Sequence, residues 1–88
     1  MKLLVVYRPN SEYSRITEEF VHNFTKIHPD TVVDIKDADS IDGVRLSELY
    51  DLVQQPAILV LDNEGILVHS WCGPMLPTDQ DVFGYINN

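Results

Sequence analysis

Ser11 and Ser14 sit three residues apart in the stretch YRPNSEYSR, residues 7–15, between an apolar run and the start of a helical pattern. A turn there aims both hydroxyls at the helix N-terminus, with Glu12 and Tyr13 between them. Hydroxyls so placed can accept hydrogen bonds from free helix N–H groups, or act as nucleophiles if a histidine and an acid join them. No histidine lies near this loop in sequence, so hydrolase chemistry is not expected. Cys72 is the chain's single cysteine, which excludes an intrachain disulfide and leaves one candidate for thiol chemistry. A lone thiol suits a reducing compartment. His22, His28 and His69 do not group with one another or with Cys72 at ligand spacing, and no metal site is expected.

The formal charge is −8, from 14 acidic and 6 basic side chains over 88 residues. Such a surface repels phosphate backbones, so nucleic acid is excluded as a partner. The densest acidic stretch, DIKDADSID (residues 34–42), reads as a solvent-facing loop. It lacks the glycine and the terminal bidentate Glu of a calcium-binding loop. The length and the 44% apolar content are those of a single domain, residues 1–88, with one core. No segment is apolar for long enough to cross a bilayer, and MKLLVVYRP reads as a first strand, not a signal peptide. The expected location is the cytoplasm, with no membrane partner.

These residues need elements to position them. KLLVVY (residues 2–7) is apolar on both faces, as a central buried strand is. Tyr13, Ile16, Phe20, Phe24 and Ile27 recur at spacings of three and four, which predicts a helix over 11–27. Asn10 or Ser11 would cap it, with Glu12 in its first turn. TVVDIK (31–36) is a second strand, parallel to the first because a helix joins them. Asp42-Gly43 marks a turn. Val44, Leu49, Leu52 and Val53, with Leu46 and Tyr50 flanking, predict a helix over about 44–52. AILVL (57–61) is a buried strand, Asp62 to Gly65 a tight turn, and ILVHSW (66–71) an antiparallel return strand. Thr78 caps a last helix carrying Val82, Phe83 and Ile86 on one face.

The order β-α-β-α-β-β-α predicts an α/β protein, a four-stranded mixed sheet with helices on both sides. In it the first strand ends, the third begins and the fourth ends at one pole. That pole gathers Arg8 to Ser14, Pro56 and Trp71 to Gly73.

This arrangement resembles the thioredoxin and glutaredoxin superfamily. VVYRPNSEYS resembles the entry to the active site, with Ser11-Glu12-Tyr13-Ser14 in place of the Cys-x-x-Cys motif and Tyr13 retained. LSELYDLVQQPAILVL (46–61) resembles the segment from the second helix through the cis-proline into the third strand. DNEGILVHSWCG resembles the hairpin that follows. The resemblance covers essentially the whole chain and implies the thioredoxin fold. It also implies a cis bond between Gln55 and Pro56, with the Gln55 backbone open to an extended peptide or to glutathione. Arg8 stands where glutaredoxins place a cation for a glutathione carboxylate, and Asp79 or Asp81 where an acidic partner stands.

The motif itself departs from the pattern. In the superfamily the first cysteine is a thiolate at a helix N-terminus that attacks a disulfide sulfur. A serine oxygen cannot exchange disulfides, so Ser11 and Ser14 cannot carry dithiol chemistry. The expectation is a redox-inactive, non-catalytic thioredoxin-like protein that binds a protein or peptide at this pole through Arg8, Tyr13, Gln55, Pro56, Trp71 and Cys72. Tyr13, Pro56, Trp71, Pro74 and Met75 would form an apolar patch there, unless Tyr13 and Trp71 pack inward. Arg8 would pair with a nearby carboxylate such as Glu12. The alternative is a monothiol oxidoreductase using Cys72, with glutathione as the one cofactor the resemblance raises. A further alternative is an accessory subunit docking a basic partner on its acidic face.

Overall fold

The computed structural model describes residues 1–73 and 75–86. Its elements are β1 (Lys2–Tyr7), α1 (Ser14–Ile27), β2 (Val32–Asp37), α2 (Ile41–Leu49), β3 (Ala57–Leu61), β4 (Leu67–Cys72) and α3 (Asp79–Ile86). They form a four-stranded sheet in the order β2-β1-β3-β4. β1 pairs parallel with β2 and antiparallel with β3, and β3 pairs antiparallel with β4. The expected mixed sheet and element order are therefore present.

The two central strands are the apolar runs that the sequence marks as buried. Leu3 to Val6 and Ala57 to Leu61 are almost wholly covered. Their side chains alternate between two cores. Leu4, Val6, Ala57, Leu59 and Leu61 meet Ala38, Leu46, Tyr50 and Leu52, on the side of α2. Leu3, Val5, Ile58 and Val60 meet Phe24 of α1 and Val82 of α3, with Tyr7, Phe20, Val21 and Trp71 around them. Among the described residues no helix is long and apolar enough to cross a membrane.

Three local readings are corrected. The first helix begins at Ser14, not at residue 11, because Asn10 takes a left-handed conformation (φ 63°) and residues 8–14 form successive turns. Ser11 N–H donates to the Arg8 carbonyl at 3.3 Å and Ser14 N–H to the Ser11 carbonyl at 3.2 Å. Tyr13 is the N-cap residue, no side chain caps the helix, and Glu12 precedes its first turn. Ile16 and Ile27 are exposed, while Thr17 and Phe24 are buried, so the inward stripe is rotated from the expected one.

The second helix starts at Ile41 and ends at Leu49, earlier at both ends than 44–52. Ser40 decides the start: its hydroxyl accepts from Gly43 N–H at 3.0 Å, the N-cap bond that satisfies an orphan helix donor. Gly43 is thus helical rather than part of a turn. Its lack of a side chain lets α2 press onto β2, since a Cβ there would overlap the Asp37 carbonyl. Leu46, Tyr50 and Leu52 face the core, whereas Val44, Leu49 and Val53 are exposed.

DIKDADSID is not a loop. It is the end of β2, a turn, and the start of α2. Asp37 Oδ1 accepts from Asp39 N–H at 2.8 Å, and Ser40 Oγ donates to the Asp37 carbonyl at 2.7 Å. Ala38 is buried between them. The acidic residues there serve turn geometry, which charge density alone does not reveal.

The hairpin turn follows the expectation, with Gly65 at φ 83° and Asp62 Oδ1 accepting from Glu64 and Ile66 N–H. The last helix also starts as read. Thr78 Oγ1 accepts from Asp81 N–H at 3.1 Å, and Thr78 N–H donates to Asp81 Oδ2 at 3.2 Å, a reciprocal cap.

Candidate functional site

A cleft of about 240 Å³ opens where β1 ends and β3 begins, lined by Tyr7, Arg8, Ser11, Glu12, Tyr13, Thr17, Gln55 and Pro56. The turns of residues 8–14 supply one wall and the Gln55-Pro56 corner the other. The Gln55–Pro56 peptide bond is cis. Among the described residues neither the N–H nor the C=O of Gln55 pairs with another backbone group, whereas the Pro56 carbonyl accepts from Gly73 N–H at 3.0 Å.

The hydroxyls divide their roles. Ser14 Oγ donates to the Ser11 carbonyl at 2.9 Å, which ties it into the turn. Thr17 is fully buried and its Oγ1 donates to the Tyr13 carbonyl at 2.8 Å. Only Ser11 of the serine pair lines the cleft. Tyr7 hydroxyl donates to Glu18 at 2.7 Å. That bond, then burial, then the charges of Glu18 and Asp37, hold the phenol above its ordinary pKa. Thr17 and Tyr7 were not singled out from the sequence. The signal was present, since Tyr7 ends the first strand and Thr17 follows Tyr13 by one helical turn.

Arg8 pairs with Asp39, not with Glu12. Its Nε and Nη2 donate to the two Asp39 oxygens at 2.9 and 3.1 Å. The turn at residues 37–40 carries Asp39 to the end of β1, a juxtaposition across strands that sequence proximity hides. The guanidinium pKa is raised by the Asp39 hydrogen bonds and then by its charge. Glu12 lines the cleft exposed, with no ion pair among the described residues.

Trp71 and Cys72 reach this pole but not the cleft. Trp71 lies edge-on to His69 and Tyr85, with ring centroids 4.6 and 5.5 Å away. It packs on the core that α1 and α3 cover. Met75 is exposed, and Pro74 lies outside the described residues. The patch expected from Tyr13, Pro56, Trp71, Pro74 and Met75 is therefore not one surface: Tyr13 and Pro56 line the cleft, and Trp71 joins an aromatic cluster elsewhere. Cys72 pairs with Ala57 across the strands, so its side chain faces the α2 side of the sheet. The thiol is exposed, and partial burial pushes its pKa up, which lowers the thiolate fraction.

Of the residues named for glutathione, Arg8 and Gln55 line the cleft, whereas Asp79 and Asp81 do not. Two of the three Arg8 guanidinium nitrogens, Nε and Nη2, bond Asp39. Asp81 caps α3, and Asp79 Oδ2 lies 3.6 Å from His28 Nε2. His28 follows the 14-residue α1, about 20 Å from Tyr13 along the helix axis. Among the described residues no group of three or more His, Cys, Asp or Glu side chains is arranged to hold a metal.

No protein-family model matches the chain, and no curated protein matches it. Solved structures do. Mitochondrial thioredoxin 3 of Saccharomyces cerevisiae, in its oxidized form, superposes with a TM-score of 0.73 at 12% identity, over 97% of this chain and 74% of that one. Thioredoxin 1 of Thermosipho africanus gives 0.72 at 14% identity, over 99% and 91% of the two chains. Thioredoxin f2, in a complex with ferredoxin:thioredoxin reductase, gives 0.71 at 17% identity, over 98% and 76%.

Proposed function

We propose that this chain, which has the thioredoxin fold, is a redox-inactive binding module that captures an extended segment of a protein partner in the Tyr13–Gln55–Pro56 cleft. One observation carries this reading: the cleft is lined by Ser11 and by the Gln55–Pro56 corner, where among the described residues the Gln55 backbone has no backbone partner, while the chain's one thiol lies on the other face of the sheet.

Three physical points support it. A hydroxyl supplies no thiolate and cannot form or exchange a disulfide. The cleft is smaller than the roughly 300–1,000 Å³ of ordinary small-molecule pockets, and suits one side chain with its backbone. The Gln55 N–H and C=O, without a backbone partner among the described residues, match the main-chain pairing by which an extended peptide adds to an exposed edge. Among the similar structures, thioredoxin f2 is seen bound to a protein.

The test is chemical-shift mapping on isotope-labelled protein with a panel of acetylated, amidated seven-residue peptides of strand-forming composition. Saturable shifts of the Ser11, Tyr13 and Gln55 amides, unchanged in Cys72→Ser, are expected. Shifts confined to other surfaces would refute the reading, as would an adduct at Cys72 accounting for all binding.

A further inference from the structure

The charges around the cleft are unevenly compensated. Among the described residues Arg8 is the only cation that lines it, and its charge is already paired with Asp39, which lies outside the lining, through Nε and Nη2. Glu12 also lines the cleft, is exposed, and has no ion-pair partner among the described residues. Glu18 lies just behind, bound to the Tyr7 hydroxyl, and Asp37 is close enough to raise the pKa of that phenol. Arg15, the next cation along the chain, is occupied by Glu19 at 3.4 Å. The whole chain carries −8. The field at the mouth is therefore negative, and Glu12 is its one carboxylate free to take a partner.

We propose that the cleft selects extended segments carrying a lysine or arginine beside the residue that enters it, with Glu12 as the selecting group. This rests on the peptide-binding reading above and adds the class of sequence it prefers. An incoming cation meets Glu12 without displacing any existing pair. An incoming carboxylate would meet Glu12 directly, and would find the charge of Arg8 already neutralised by its bidentate pair with Asp39. The remaining acidic surface attracts the same ligand at longer range and speeds its encounter.

The experiment compares three peptides, acetyl-Ser-Thr-Val-Xaa-Val-Thr-Ser-amide with Xaa as Lys, Gln or Glu, followed by the Tyr13 and Gln55 amide shifts at low salt. The Lys peptide should bind about fourfold more tightly than the Gln peptide, the factor a single exposed ion pair supplies, and the Glu peptide more weakly than either. The preference should shrink at high salt and vanish in Glu12→Gln, which leaves Gln55 and Pro56 untouched. Equal binding of the Lys and Gln peptides, or a preference that persists in Glu12→Gln, overturns the charge selection while leaving peptide binding intact. Failure of all three to shift these amides overturns both.

Discussion

The two faces of the sheet are built differently from the same two strands. On one, α1 and α3 cover Leu3, Val5, Ile58 and Val60 with Phe24 and Val82. On the other, the nine-residue α2 covers Leu4, Val6, Leu59 and Leu61 and leaves Val44 and Leu49 in solvent. The cleft opens on the first side, where Tyr7 and Thr17 come from β1 and α1. Cys72 belongs to the second, by strand alternation from Trp71. One residue of parity thus puts Trp71 and Cys72 on opposite faces of the sheet. Proximity at one pole does not make one site.

Substitutions can sharpen or break that contrast. Phe24→Ala should cost the most, about 4 kcal/mol in denaturant unfolding, because Phe24 is fully buried at the centre of the two-helix face. Gly43→Ala should follow at about 3 kcal/mol, since its Cβ would strike the backbone of Asp37 and push α2 off the sheet. Leu52→Ala, on the thinner face and 8% exposed, should lose about 2 kcal/mol. A Leu52 cost equal to that of Phe24 would break the contrast. Ser40→Ala and Thr78→Ala remove caps on opposite faces, and each should cost about 1 kcal/mol.

The smallest effect concerns the thiol. With its pKa raised by burial, Cys72 holds less thiolate at neutral pH than a free cysteine. Iodoacetamide should alkylate it more slowly than N-acetylcysteine amide, with the half-maximal rate at a higher pH. Faster alkylation at neutral pH would contradict the raised pKa of this thiol.

The strands and their pairing were legible because Leu3 to Val6 and Ala57 to Leu61 are buried on both faces and so read as unbroken apolar runs. Thr78 was legible as a cap because its reciprocal partner Asp81 lies three residues on. The start of α1 was not, because Asn10, in its left-handed conformation, redirects residues 8–14 into turns that periodicity does not register. Nor was α2, whose exposed Val44, Leu49 and Val53 mimic a buried stripe while Ser40 sets its true start. At the site, Gln55-Pro56 and Tyr13 came together as the topology required. The Arg8–Asp39 pair did not show, because it joins the ends of two strands through a turn.

Oxygen at Ser11 and a Cys72 on the opposite face are proposed to leave this thioredoxin fold without disulfide chemistry. The test is insulin-disulfide reduction driven by dithiothreitol. The purified chain and its Cys72→Ser variant should both give the rate of the protein-free control. Protein-dependent turnover by the unaltered chain would contradict the account, and its loss in Cys72→Ser would assign the chemistry to that thiol.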